Sequence, residues 1–307
     1  MIWGIFVIKN ILFLKPIILS QIWGGNDYKN FGIDTNNNGS EIILLSDSID
    51  NTNIIINSLG KSDSIDLYYK LNKKAFNSQT GSIPFVIKLI NPASDMGVFF
   101  SPNNFYTQQT DYKYGQKKLW IALPNIYQNN LLVGHNCKNS NEIEEMLNYY
   151  KYNEYGNFIT LNPYEAIFID NHLLNSICPY AIIFEITFKN FLEYDISNLN
   201  EIDDNFYKYI VNATNHQKSQ QILRVNSNTK TLINNGFFRV KIFNQEGLKI
   251  LKFTKCNFVH IFITEGNGKI ENFHISAGSN FIIKANIEVK IIGNLKYIVT
   301  YVNDLLF

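Results

Sequence analysis

From Leu232 to its C-terminus the chain reads as little else than short β-branched and aromatic runs set apart by Gly, Asn and Ser. The runs cover 237–243, 248–254, 258–264, 269–275, 280–283, 289–292 and 297–302. Even spacing of this kind, with turn residues in every gap, predicts a β-sandwich or small barrel. The first half carries the same signal more sparsely, at 41–46, 53–57, 84–90, 118–123, 166–169 and 181–187. Helical patterning is rare. The clearest case is 139–150, where Asn139-Ser140-Asn141 can cap a segment with Ile143, Met146 and Leu147 at helical spacing and acids in its first turns. Weaker helical patterns occupy 65–76 and 206–214.

With 307 residues the chain is long enough for two domains. The predicted division is an N-terminal domain over 1–200, including the helical insertion near 139–150, a polar linker over 201–230 and a C-terminal barrel over 231–307. A hydrophobic fraction of 46% and a charged fraction of 17% suit a folded chain. A formal net charge of +1 gives no reason to expect nucleic acid or an anionic membrane as partner. Cys137, Cys178 and Cys256 are widely spaced and form no C-x-x-C pair, so reduced thiols and a cytoplasmic location are expected. The apolar N-terminal stretch is interrupted by Lys9 and Lys15, which argues for a buried strand rather than a membrane span or signal peptide.

The stretch Glu265-Gly266-Asn267-Gly268 followed by Ala277-Gly278-Ser279 has the hairpin-and-corner punctuation of cupin barrels, with glycine where positive φ is wanted. Related punctuation at Gly134-His135 and along 159–169 makes a second barrel plausible. Short motifs then follow a familiar order. Lys15-Pro16 leads after six residues to Trp23-Gly24-Gly25; Ile83-Pro84-Phe85-Val86-Ile87-Lys88 forms a strand; Ser101-Pro102 precedes Asn103-Asn104-Phe105-Tyr106; Gly115-Gln116-Lys117-Lys118-Leu119-Trp120 comes next, and Tyr194-Asp195 later. In order and spacing this resembles the short bacterial type I mannose-6-phosphate isomerases over essentially the whole chain. The resemblance implies an all-β fold of two cupin (jelly-roll) barrels with a few short helices.

The same resemblance implies a metal site, usually zinc, in which a Gln or similar residue, two His and a Glu hold the ion that orients and polarises the sugar. Carried over position by position, those ligands fall on Phe99, Ser101, Lys118 and Asn175, and the arginine expected near the phosphosugar falls on Leu192 in a shortened segment. Zinc needs three or four converging N, S or O donors, most of them deprotonated. Phenylalanine offers none, and serine and asparagine are weak neutral ligands. A protonated lysine adds repulsion of several kcal/mol against a dication at about 4 Å and an effective dielectric of about 20. The expectation is therefore no cofactor and no catalysis, in a protein that binds a phosphosugar or other small carbohydrate or serves regulation. Its protein partners are not legible in the sequence.

The alternative is an active zinc-dependent aldose–ketose isomerase with a rearranged site, for which His172, three residues before Asn175, is the candidate rescuing ligand. Candidate pocket residues are Lys88, Lys118, Ser101 and His172. Lys88 admits two readings, an anion- or sugar-binding group or a salt-bridged lysine on the barrel rim. Glu41, Asp47 and Glu185 are expected to be structural hydrogen-bonders, and His135 is expected at the surface.

Overall fold

The computed structural model describes residues 10–35, 39–56, 63–107, 114–189, 191–197, 204–214, 222–223, 229–234 and 239–303. Their strands form three large antiparallel sheets. A seven-stranded sheet runs in the order Ile222–Leu223, Ala166–Ile169, Lys118–Ala122, Ile183–Phe188, Phe85–Ile90, Glu41–Leu45, Ile17–Leu19. Every residue of Lys118–Ala122 and of Ile183–Phe188 is buried, so these central strands are covered on both faces. That is why they read as continuous apolar runs and not as an in-out alternation.

On one face, Leu89, Ile121, Phe184 and Ile186 share a core with Phe258, Phe262, Ile282 and Ile298 of a nine-stranded sheet. On the other, Ile90, Trp120, Ala122 and Ile183 pack against Leu131, Val133 and Ile177 of a five-stranded sheet. The seven- and five-stranded sheets thus enclose one barrel interior. The nine-stranded sheet curls around a separate core of Val259, Ile261, Ile263, Phe281, Ile291 and Val299. The fold is mainly β and cupin-like, with few helices, as the sequence pattern predicts.

The strand Ile11–Lys15 does not stay with the sheet that follows it. It pairs with Phe281–Ile283 and completes the nine-stranded sheet, with Ile55 and Ile54 on its other edge. Residues 1–9, the start of the predicted N-terminal strand, and half of the predicted linker lie outside the described residues. Within the linker, Asp204–Thr214 is helical. The helix Ser140–Asn148 starts as predicted: the Asn139 side chain accepts the Glu142 N–H at 3.0 Å, and Ile143, Met146 and Leu147 are buried.

One predicted hairpin is corrected. Glu265-Gly266-Asn267-Gly268 does not turn: the strand continues unbroken from Phe258 to Ile270, against a partner running from Glu288 to Val302. The turn comes later, where Glu271 has φ +49. Gly266, at φ +86, instead lies just past a register shift between Ile263 and Glu265, and a Cβ there would lie 1.9 Å from the Asn294 carbonyl oxygen. Glycine serves a close backbone approach here, which local sequence does not distinguish from a turn. The predicted corner at Gly278 is present, at φ +83, with the Phe31 carbonyl oxygen 1.9 Å from where a Cβ would be. Gly278→Ala is expected to cost about 1 to 3 kcal/mol, checked by urea denaturation.

The two halves are tied by a buried polar contact. Asn280 donates through Nδ2 to Leu44 O at 2.7 Å, and its Oδ1 lies 2.6 Å from His260 Nε2. His260 is fully buried, and its Nδ1 has no partner. His135, expected at the surface, is also buried. Its Nδ1 accepts the Cys137 N–H at 3.1 Å and its Nε2 faces Ile210 O at 3.4 Å, beneath the helix 204–214. That helix arrives from far along the chain, so nothing near His135 in sequence announces the cover.

Candidate functional site

Strand register brings the charged residues of the seven-stranded sheet to one face. Glu185 stands opposite both Lys88 and Trp120, and Ile43 stands opposite Lys88. Glu41 lies two residues before Ile43, and Lys118 two before Trp120. Side chains alternate with period two, so all six point toward the same barrel interior. From the facing five-stranded sheet come Phe99 and Asn175, themselves opposite each other in register.

The result is a line of alternating charge. Lys88 Nζ lies 3.1 Å from both Glu41 carboxylate oxygens and 3.3 Å from Glu185 Oε1. Glu185 Oε2 accepts the Trp120 indole N–H at 2.6 Å and lies 3.9 Å from Lys118 Nζ. Lys118 Nζ then reaches Glu193 Oε1 at 2.7 Å and donates to Asn175 Oδ1 at 3.1 Å. Ser101 Oγ donates to the same Glu193 oxygen at 3.1 Å. The ammonium of Lys118 also lies 5.1 Å from the Phe99 ring centroid and 5.6 Å from that of Trp120, within cation–π range.

Burial alone would push the Glu185 carboxyl up. Lys88, Lys118 and the Trp120 N–H override it and hold the group below the usual carboxylate range. Lys88 is likewise desolvated, yet Glu41 and Glu185 hold its ammonium above the usual lysine range. Both are therefore charged at neutral pH. Three carboxylates meet two ammoniums, and neither lysine is left as a free cation.

Phe99 and Ser101, Lys118, and Asn175, drawn from three separate stretches of the sequence, thus come together, with the Lys118 ammonium against Phe99 and Asn175 and joined to Ser101 through Glu193. Leu192 is nearby but buried: its N–H donates to Tyr114 O and its carbonyl accepts the Gln116 N–H. His172 sits on the loop before Asn175 at φ +74, with its backbone N–H donating to Ser101 O at 2.6 Å. Its ring meets Tyr209 edge-on at 6.3 Å, and its buried Nε2 has no hydrogen-bond partner. Among the described residues, no three His, Cys, Asp or Glu side chains converge in a way that could hold a metal ion. Glu193 was missed by the sequence reading. It directly follows Leu192, in the segment whose length differs from the family pattern, where register is least secure.

Beside this cluster a cleft of about 580 Å³ opens, lined by Trp23, Glu41, Asp95, Phe99, Tyr150 and Asp195 among others. Glu41 and Phe99 belong to both, so the cleft ends against the charged line. No helix among the described residues is long and apolar enough to cross a membrane.

Compared with the profiles of known protein families, the sequence matches none. It is 21% identical over 280 residues to the mannose-6-phosphate isomerase ManA of Bacillus subtilis (strain 168), covering 84% of this chain and 87% of the relative. The crystal structure of the Bacillus subtilis mannose 6-phosphate isomerase superposes with a TM-score of 0.78 at 18% identity, over 95% of this chain and 100% of that one. A putative mannosephosphate isomerase from Archaeoglobus fulgidus gives 0.78 at 13% identity, over 97% and 99%. A mannose 6-phosphate isomerase described as holo and zinc-bound gives 0.75 at 12%, over 96% and 100%. In sequence over most of its length and in fold over nearly all of it, this chain is similar to the type I mannose-6-phosphate isomerases.

Proposed function

We propose that this mannose-6-phosphate isomerase-like protein has exchanged its metal for an internal cation, has lost isomerisation, and acts as a non-catalytic carbohydrate-binding or regulatory protein. The observation that carries this reading is the position of Lys118 Nζ. It lies against Phe99 and Asn175, and Glu193 links it to Ser101, so three of the four positions matched to the family's ligands lie around the ammonium of the fourth. These residues do not fit zinc. Phe99 has no lone pair, the Asn175 oxygen is already engaged by Lys118, and the fixed positive charge opposes a dication. The two ammoniums that could polarise a carbonyl in place of a metal are each held by two carboxylates, Lys88 by Glu41 and Glu185 and Lys118 by Glu193 and Glu185.

The purified protein is expected to contain no stoichiometric zinc and to leave mannose 6-phosphate unchanged when zinc, cobalt or manganese is added. Metal analysis and a coupled assay for fructose 6-phosphate check both. Stoichiometric zinc with turnover would sink the proposal. A second reading, a working isomerase with a rearranged site, draws on one observation: the unpartnered Nε2 of His172. It requires His172→Ala to abolish both metal and turnover.

Restoring the donors provides a gain-of-function check. A variant carrying Phe99→Gln, Ser101→His, Lys118→Glu and Asn175→His is expected to bind about one zinc per chain, since four donors would then converge where the ammonium lay. Failure of a folded variant to bind zinc would mean that the matched positions are not the ligand positions.

A further inference from the structure

The strand Arg239–Gln245 brings two cations to the second barrel's core. Residues 239, 241 and 243 share one face by period two, and that face is the barrel interior. Phe243 is buried there, stacked on Tyr297 at 5.0 Å. Arg239 and Lys241 follow it toward the end of the strand, where both are only half-buried. Both meet the ring of Tyr301. The Arg239 guanidinium carbon sits 3.9 Å from the ring centroid, and the Lys241 ammonium 5.8 Å. Tyr301 is itself buried and braced edge-on by Phe253 at 5.9 Å.

Two like charges about 7 Å apart on one strand face repel each other. The residues opposite them in register are uncharged: Asn234 faces Arg239, and Thr231 and Val299 face Lys241. The sequence around them has the same sign. Residues 231–307 hold nine Lys and Arg against five Asp and Glu, whereas the rest of the chain holds eighteen against twenty-one. The second barrel therefore attracts anions.

The two residue types divide the task. Stacking on Tyr301 fixes the guanidinium plane, and one of its N–H groups, on Nη1, donates to Thr254 O at 3.2 Å. The remaining donors of the fork suit the oxygens of a phosphate, and Lys241 supplies a second charge on a flexible stem. Lysine is this chain's usual cation, with Arg224 and Arg239 its only arginines, so a guanidinium at this place is an exception. The reach of its charge shows in two neighbours. Burial raises the Tyr301 phenol and pushes the Cys256 thiol up to about 11, and in both cases Arg239 opposes the rise.

We infer that this end of the second barrel binds a phosphate group, as the free ion or as a monoester. A group carrying close to two negative charges matches the two cations, where a carboxylate would match one. The site lies in a different barrel from the Lys118 cluster and does not depend on its chemistry.

The test titrates the full chain with inorganic phosphate, glycerol 3-phosphate and acetate, followed by calorimetry at constant ionic strength. Inorganic phosphate is expected to saturate one site per chain and to bind at least about tenfold tighter than acetate. Glycerol 3-phosphate binding tighter than phosphate assigns the site to a monoester, and the reverse assigns it to the free ion. Salt raised to about 0.5 M should weaken phosphate severalfold. Arg239→Gln and Lys241→Gln should each weaken it at least about tenfold. Arg239→Lys keeps the charge but loses the fork, and should still cost about threefold or more. Lys241→Gln keeps the test intact if the arginine variants do not fold.

Absence of saturable phosphate binding overturns the inference, and so does acetate binding as tightly as phosphate. Binding that survives both Arg239→Gln and Lys241→Gln places the anion elsewhere and overturns it too. Phosphate binding seen only in Asp304→Asn would do the same, since the two cations would then serve the chain's own carboxylate.

Discussion

Lys118→Ala is expected to destabilise the protein by about 3 to 5 kcal/mol, seen as a lower urea midpoint with an unchanged slope. Lys118 is 5% exposed and serves Glu193, Glu185 and Asn175 at once. Its removal leaves the Glu193 carboxylate facing Glu185 without its nearest cation, in a space closed off by the Phe99 and Trp120 rings. Breaking a buried ion pair costs more than the pair contributes, because the surviving charge has lost its compensation and cannot recover its water.

The charge origin of that loss is testable. Lys118→Met keeps most of the side-chain volume and should lose nearly as much, and combining it with Glu193→Gln should recover a coupling of about 0.5 to 3 kcal/mol. Acid should narrow the gap between wild type and variant. The folded Glu185 carboxyl is held low, so its contribution is present above the unfolded value near 4.3 and is lost as pH falls through the folded one. A loss under about 1 kcal/mol for Lys118→Ala would show that the ammonium does not hold this cluster together.

The second large effect is acid sensitivity at milder pH. Burial, acting first, pushes His260 down to about 4, with the Asn280 contact raising it only in part, and it does the same to His135 against Ile210. An unfolded histidine titrates near 6.5. Both folded values are depressed, so each contribution is complete above about pH 6.5 and is lost progressively as pH falls toward about 4. The full difference is about 3 kcal/mol for each histidine.

Geometry gives the same sign as burial. Asn280 uses its Nδ2 as donor, so its Oδ1 accepts from His260 Nε2–H, and a second proton would go to a buried Nδ1 with nothing to accept it. In His135, protonating Nδ1 would displace the Cys137 N–H. Urea stability measured from pH 7.5 to 4 should fall steeply, and His260→Gln, less stable at pH 7.5, should show a shallower fall. A flat wild-type profile down to about pH 4.5 would rule this out.

Much of the fold was readable because its determinants are local. Period-two and continuous apolar runs gave the central strands of the seven-stranded sheet to within a residue or two, and Asn139 with Glu142 marked one helix start, whereas Asn129–His135, Gly156–Leu161 and Leu174–Ile177 of the five-stranded sheet were not picked out. The candidate site was readable in position but not in contact. Matching motif order put Phe99, Ser101, Lys118 and Asn175 forward as a set, and the structure gathers them. Glu193 and the partners of Lys88 were not readable, since ion pairs depend on which strands become neighbours and in which register. Glu41 and Lys88 are 47 residues apart, and Lys118 and Glu185 are brought close only across the central strand pair.

The sequence by itself determined that this chain would be mainly β and where many of its strands begin, and it holds Phe99, Ser101, Lys118 and Asn175, poor partners for a dication, at the positions proposed to match its relatives' ligands. These follow from side-chain shape, turn chemistry and ionisation, which each residue carries with it. Only the tertiary structure decided that Lys118 points its ammonium toward Phe99 and Asn175 and that the lysines are neutralised by Glu41, Glu185 and Glu193. It also decided that His135 and His260 are buried. Burial and the local field are sums over neighbours distant in sequence, and they exist only once the sheets have stacked.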